Sequence, residues 1–202
     1  MSTQPKHFVT PEEYLELERK AASRSEYFHG AIYAMAGGSL EHAVLTANMT
    51  ALIGGQLRGG RCRAMSSDLR VCVSATGLYT YPDLTVVCGK PELLPGGSDT
   101  LLNPTVIVEV HSPSTEGYDR GDKFAHYKTI PSLQQYVLVA QHRIQIDVLT
   151  RQNDGWLLTT ASQTDQTVRL ESIACELAVL DVYEGVELPS PGLSHKQSSA
   201  QS

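Results

Sequence analysis

The segment Val106-Ile107-Val108-Glu109-Val110-His111 decides the fold class, because it is a nearly continuous β-branched run with one carboxylate inside it. Such a run predicts a strand that is covered on both faces, as in the sheets of α/β proteins. Alternation places its three valines on one face and Ile107, Glu109 and His111 on the other. A buried, unpaired carboxylate is costly, so Glu109 requires a basic partner, hydrogen bonds or a metal ion. The plainer alternative is a strand-end glutamate that faces solvent or forms a structural ion pair.

Helices and strands alternate on both sides of this segment. Thr10-Pro11-Glu12-Glu13 has the capping residues of a helix start, and Pro131 ends a later helix that Asp119 is expected to cap. His29-Gly30 and Asp154-Gly155 are typical of hairpin turns. The predicted helices cover residues 11–20, 40–58 and 119–129. The predicted strands cover residues 24–28, 31–36, 61–65, 68–74, 84–88, 105–111, 135–140, 143–150 and 156–161. This pattern predicts a mixed α+β fold.

The length of 202 residues fits a single domain, which we assign to residues 1–188. Residues 189–202 are rich in Ser, Gln, Pro and Gly, which predicts a disordered tail. The apolar runs are too short to span a membrane and the first residues lack the apolar core of a signal peptide, so we expect a cytoplasmic protein. The net charge of −6 argues mildly against a nucleic-acid partner held by the overall field, although carboxylates that bind cations are compatible with one.

The four cysteines, Cys62, Cys72, Cys88 and Cys175, show no metal-binding spacing. Three of them lie in apolar, strand-like surroundings. We therefore expect buried thiols rather than a zinc site or disulfides.

A second carboxylate, Asp83, stands immediately before the predicted strand 84–88, which could neighbour the strand of Glu109. Two carboxylates on adjacent strands, completed by phosphate and water, match the octahedral oxygen coordination of Mg²⁺. A lone Pro-Asp pair, however, more often marks a turn or a cap.

Lys123 lies in the first turn of its predicted helix, where the helix macrodipole disfavours a positive charge. A lysine directed at the carboxylates would recover that cost and could orient a water molecule or stabilise transition-state charge. The alternative is a surface lysine paired with Asp119 or Asp122. Tyr127 shares the same helix face one turn later, and is otherwise a core aromatic residue.

At these residues the sequence resembles the Uma family, a branch of the restriction-endonuclease-like PD-(D/E)XK superfamily, over most of residues 8–186. The residues that carry the resemblance are Pro82-Asp83, Val108-Glu109-Val110-His111-Ser112-Pro113-Ser114-Thr115, Tyr118-Asp119-Arg120, Lys123, Tyr127 and Ile130-Pro131-Ser132-Leu133-Gln134-Gln135-Tyr136. The resemblance implies a restriction-endonuclease-like core, with a central mixed β-sheet flanked by helices and preceded by an N-terminal helix and hairpin.

The resemblance also implies a catalytic set. Asp83 and Glu109 would be metal ligands, with the main-chain carbonyl of Val110 as a third. The superfamily pattern has a lysine two residues after the acidic residue, but here His111 occupies that position, so Lys123 becomes the candidate and His111 an auxiliary base or a bystander. Glu41, His42 and Asp68 are weaker auxiliary candidates, each with an ordinary structural role as the alternative.

The expected activity is Mg²⁺-dependent hydrolysis of DNA phosphodiester bonds by a homodimer, with Mn²⁺ as a possible substitute. Two alternatives stay open: a non-cutting module that binds DNA or a protein, and a metal hydrolase for small phosphoesters. A nuclease needs a groove with basic walls, for which the sequence offers Arg58, Arg61, Arg63 and Arg70, although these could equally be solvated surface charges.

Overall fold

The computed structural model describes residues 8–188, and the tail predicted at 189–202 lies outside them. The helices are α1 (Pro11–Glu18), α2 (Leu40–Gln56), α3 (Glu116–Tyr118), α4 (Phe124–Tyr127) and α5 (Val179–Val182), with a π-helical turn at Asp119–Lys123 and a 3₁₀ turn at Glu171–Ile173. The strands are β1 (Ser25–Phe28), β2 (Ala31–Ala34), β3 (Cys62–Ser66), β4 (Arg70–Val73), β5 (Leu78–Thr80), β6 (Leu84–Cys88), β7 (Thr100–Leu101), β8 (Val106–His111), β9 (Gln135–Ala140), β10 (Ile146–Gln152), β11 (Gly155–Ala161), β12 (Thr167–Leu170) and β13 (Cys175–Ala178).

The central element is a six-stranded sheet in the order β11-β10-β9-β8-β6-β3. It is mixed, because β8 pairs in parallel with β9 and antiparallel with β6. Helix α2 packs Leu45, Met49 and Ile53 into one face, and residues near α4, including Tyr127 and Leu133, fill the other. The mixed α+β fold, with a central mixed sheet and flanking helices, is therefore confirmed.

A smaller five-stranded sheet has the order β2-β1-β5-β4-β7. The predicted capping box of α1 is confirmed, since Glu13 donates its N–H to the Thr10 hydroxyl and the Glu13 carboxylate accepts from the Thr10 N–H. The predicted turn between β1 and β2 is also confirmed, with positive φ at His29 (46°) and Gly30 (80°). This hairpin brings residues of the smaller sheet beside the central one.

The structure corrects the predicted start of the third helix. Helical backbone begins at Glu116, and Asp119 lies inside the helical segment as the first residue of the π-helical turn. Asp119 is buried, so it is not a solvent-facing cap. A later strand is also displaced, since β10 begins at Ile146 rather than at residue 143.

The expectation of four free thiols is wrong for one pair. Cys62 and Cys88 are cross-strand partners of β3 and β6 and form a disulfide, because the antiparallel register places their side chains on the same face. Cys72 and Cys175 are buried free thiols, as predicted.

The sequence also predicts that no segment spans a membrane, and the residues 8–188 that the structure describes can be compared with this prediction. None of their helices is both long and apolar enough to cross a membrane.

Candidate active site

Asp83 is held between the central sheet and α2. It directly precedes β6, whose first residue, Leu84, pairs with Val108, the residue before Glu109 on β8. The Asp83 Oδ2 accepts the Val110 N–H at 2.7 Å, and His42 Nε2 lies 3.2 Å from the same carboxylate. This hydrogen bond with Asp83 raises the pKa of His42 above its usual value. The two strands predicted to carry the carboxylates are thus neighbours.

Glu109 is buried inside β8, with 5% of its surface exposed. Its Oε1 lies 2.9 Å from Lys123 Nζ and accepts a 2.8 Å hydrogen bond from the Tyr127 hydroxyl. Burial raises the pKa of Glu109 above its usual value, while the Lys123 ammonium opposes that rise. The carboxylate that the sequence marked as needing compensation therefore has both a cation and a hydrogen-bond donor.

Lys123 is surrounded by carboxylates. Its Nζ lies 2.9 Å from Glu109, 3.4 Å from Glu26 Oε1 and 3.7 Å from Asp119 Oδ1. Burial alone would lower the pKa of Lys123, but these carboxylates raise it well above its usual value. Lys123 is therefore a protonated cation at neutral pH rather than a base.

One short helical segment supplies several of these groups, and it contains the π-helical turn. This turn accommodates an extra residue relative to a turn of an α-helix, and such turns occur frequently at functional sites. Asp119, Lys123 and Tyr127 all turn inward and are buried, whereas Asp122 is exposed.

A cavity of about 480 Å³, which we call the carboxylate pocket, is lined by Asp119 and Lys123 but not by Tyr127. Its charged residues are four carboxylates, Glu26, Asp83, Glu109 and Asp119, and one lysine, Lys123. Burial also raises the pKa of Asp119. The surplus of negative charge favours binding of a cation.

The donor chemistry of the pocket fits Mg²⁺. Carboxylate oxygens are hard donors, and Mg²⁺ is usually bound through one or two carboxylates, with water and substrate phosphate completing its shell. Between residues 8 and 188, no three His, Cys, Asp or Glu side chains converge to hold a metal ion. The protein would therefore contribute two carboxylates, Asp83 and Glu109, and Val110, which also lines the pocket, could add its carbonyl.

The auxiliary candidates fall in different places. His42 and Tyr127 contact Asp83 and Glu109 respectively. The other three candidates, His111, Glu41 and Asp68, do not line the carboxylate pocket. His111 is fully buried, and neither ring nitrogen has a hydrogen-bond partner among the described residues.

Glu41 and Asp68 have local roles instead. Hydrogen bonds with Ser39 and with its own backbone lower the pKa of Glu41, as expected near the start of α2. Asp68 is exposed and pairs with Arg24. The suggested arginine wall is also incomplete, because Arg70 is buried and bonded to Asp99 and Tyr81.

Sequence reasoning missed two carboxylates of the pocket. Glu26 lies on β1, and only long-range packing of the small sheet brings it to Lys123. The helix pattern predicts Asp119 as a cap, but its spacing of four residues from Lys123 also indicates that the two side chains share a helix face.

Comparisons with known proteins agree with this architecture. The family model for Uma2, described as "Putative restriction endonuclease", matches residues 11–182. Two proteins of Synechocystis sp., each described as uncharacterized, are 39% identical over 179 residues (88% of this chain and 93% of the relative) and 34% identical over 152 residues (75% and 86%). A crystal structure from Anabaena variabilis, described as "a putative nuclease belonging to DUF820", superposes with a TM-score of 0.71 at 21% identity, covering 87% of this chain and 97% of that one. At that identity the likeness shows the shared fold.

Proposed function

The chain belongs to the Uma2 family, and from that premise we propose that it is a metal-dependent endonuclease that hydrolyses phosphodiester bonds in DNA. The family description supports a nuclease-like function. One structural observation carries the proposal: Asp83 and Glu109, from adjacent strands, share a cavity with the buried, protonated Lys123. The solved structure with the same fold is itself described as "a putative nuclease".

We assign the metal site to Asp83 and Glu109, with the Val110 carbonyl as a third ligand. The chemistry that Mg²⁺ or Mn²⁺ supplies when bound is Lewis-acid activation of water and of the scissile phosphate. His42 and Tyr127 act as positioning residues, because each bonds one carboxylate and restricts its orientation.

Lys123 contributes charge rather than proton abstraction. Its raised pKa keeps the ammonium protonated, so it can donate hydrogen bonds to the attacking water or to a phosphoryl oxygen as negative charge accumulates there. An anionic phosphate entering the pocket also needs this charge, since the other charged residues of the lining are acidic.

The test is cleavage of plasmid and oligonucleotide DNA with Mg²⁺ or Mn²⁺, comparing the wild type with Asp83→Ala, Glu109→Ala and Lys123→Ala. Each change should lower the rate by roughly 100-fold or more, the usual cost of removing a group that stabilises transition-state charge. Because Glu109 and Lys123 are a buried pair, Glu109→Gln and Lys123→Met provide variants that keep side-chain volume. Asp165→Asn, an exposed carboxylate far along the chain, is the control and should cut at the wild-type rate.

The outcomes separate the alternatives. Metal-dependent cutting that the three alanine variants abolish supports the nuclease and its site together. A folded wild type that binds DNA but cuts none with any metal is a binding module. Hydrolysis of p-nitrophenyl phosphate without DNA cleavage indicates a small-phosphoester hydrolase. The homodimer and the cytoplasmic location stay predictions.

A further inference from the structure

A second cavity adjoins the carboxylate pocket. It measures about 570 Å³, which is within the range of small-molecule sites, roughly 300–1,000 Å³. Glu26, Tyr33 and Tyr118 line both cavities, so the two are adjacent. Whatever binds at the carboxylates therefore has this second cavity directly beside it.

The walls of the second cavity are aromatic and open to solvent. Tyr33 is 55% exposed and Tyr118 is 41% exposed, which is unusual for large rings that nothing in the described chain covers. Deeper inside, the ring of His126 meets that of Phe28 edge-on at 4.7 Å. Exposed aromatic faces beside a nucleic-acid site are the usual platforms on which unpaired bases stack.

The position of Tyr33 follows from strand pairing. Tyr33 on β2 lies directly opposite Glu26 on β1, and direct cross-strand partners point to the same face of a sheet. Glu26 reaches Lys123 in the carboxylate pocket, so Tyr33 stands over the same entrance. Tyr118, one residue before Asp119, also lines both cavities.

The charges of this cavity favour a base over a phosphate. Its charged residues are the carboxylates Glu26 and Asp122, with no Lys or Arg in its lining. These carboxylates would repel a phosphate, but they can accept hydrogen bonds from the amino groups of cytosine or adenine.

From these observations we propose that the second cavity, which we call the base cavity, binds one unstacked nucleobase adjacent to the scissile phosphate. The inference rests on the proposed function and adds a substrate class to it: single-stranded DNA or duplex DNA with an unpaired nucleotide. A fully paired duplex must first lose a stacked base, at a cost of a few kcal/mol. An acidic protein with little basic surface at its site thereby holds DNA by stacking as well as by charge.

The first experiment measures cleavage of a single-stranded oligonucleotide, the matching duplex and a duplex with one bulged nucleotide. The single strand and the bulge should be cut at least about tenfold faster than the full duplex. Tyr33→Ala and Tyr118→Ala should lower kcat/KM on the single strand about 5- to 150-fold, the equivalent of about 1–3 kcal/mol of stacking per base. Tyr118→Phe keeps the ring and should recover most of the rate. Ile32→Ala is the matched control, because Ile32 is an exposed neighbour of Tyr33 that lines neither cavity.

The second experiment needs no catalysis. The affinity of the wild type for the fluorescently labelled single strand is measured by anisotropy with Ca²⁺ in place of Mg²⁺, and compared with the same variants. Weaker binding by both alanine variants, restored in Tyr118→Phe and unchanged in Ile32→Ala, supports the base cavity even if no cleavage is found. Equal affinities, together with equal cutting of single strand and duplex, would overturn the base cavity while leaving the nuclease proposal intact.

Discussion

Glu116 anchors the helical segment that carries Asp119 and Lys123. Its carboxylate accepts hydrogen bonds from Arg120 Nε at 2.9 Å and from Arg143 Nη1 at 3.2 Å, and Arg143 lies in the loop between β9 and β10. These contacts, with Arg143 first, lower the pKa of Glu116 from 4.5 to about 2. Through Arg143, the ionised Glu116 carboxylate therefore connects the helical segment of the candidate site to the loop between β9 and β10 of the central sheet.

Replacing Glu116 should have a pH-dependent cost. The folded-state pKa is depressed, so the stabilisation is present above about pH 4.5 and is lost as the pH falls towards 2. Glu116→Gln should lower stability by about 1 kcal/mol near neutral pH, or about 2–4 °C in Tm, and the difference should shrink on acidification. Thermal melts followed by circular dichroism over this range measure it. The control is Glu176→Gln, which removes an exposed ion pair with Arg169 and should change Tm little. A loss of Tm in Glu116→Gln that is the same at every pH would contradict the explanation.

At the residue scale, the sequence revealed the groups whose burial is physically costly. Glu109 stood out because a carboxylate in an apolar strand requires compensation, and the structure provides Lys123 and Tyr127. Glu26 gave no such signal, because its strand is short and its surroundings depend on the pairing of β1 with β2 and β5. Local sequence patterns do not predict which residues reach a site only through long-range packing.

The π-helical turn is the element on which the site geometry depends. Deleting Gly121 from it should restore α-helical spacing and shift Lys123, which lies inside the turn, relative to Asp119 and Glu109. DNA cleavage should fall by about 100-fold or more, because misplaced catalytic groups lose their alignment.

Gly121→Ala is the matched variant for this deletion. An added Cβ at Gly121 meets no atom within 4 Å, so activity should persist and stability should rise by about 0.5–1 kcal/mol. Cleavage assays and thermal melts of both variants test this, with helix content checked by circular dichroism. Full activity in the deletion variant would show that the turn does not set the geometry.

At the element scale, the long periodic segments were predictable and several short ones were not. The strands β8 and β9 and the helix α2 were identified within a few residues. The strands β1, β2 and β4 are only four residues long and were also predicted. The elements that local patterns did not indicate are β5, β7, β12, β13 and α5, each four residues or fewer. Their formation depends on packing: Leu170, Leu177 and Val182, for example, are buried in the same core as α2.

For the whole molecule, the Cys62–Cys88 disulfide closes a segment of 26 residues that includes β4, β5 and Asp83. Cross-linking a loop of this length restricts the unfolded chain and is expected to stabilise the fold by about 3–4 kcal/mol. Reduction should therefore lower Tm by roughly 5–15 °C, as measured by thermal melts with and without a thiol-free reductant. The double variant Cys62→Ala/Cys88→Ala should melt near the reduced wild type and ignore the reductant. Identical melting of oxidised and reduced protein would contradict this role.

The carboxylate pocket also has an evolutionary consequence. Four acidic side chains facing one lysine repel one another, so the chain carries a local instability at the proposed cation site. A lineage released from selection for catalysis would relieve this repulsion by replacing Asp83 with an amide, because Asp83 forms no ion pair with Lys123. Glu109 would be retained for stability alone, because its loss would leave the buried Lys123 without its nearest counter-ion.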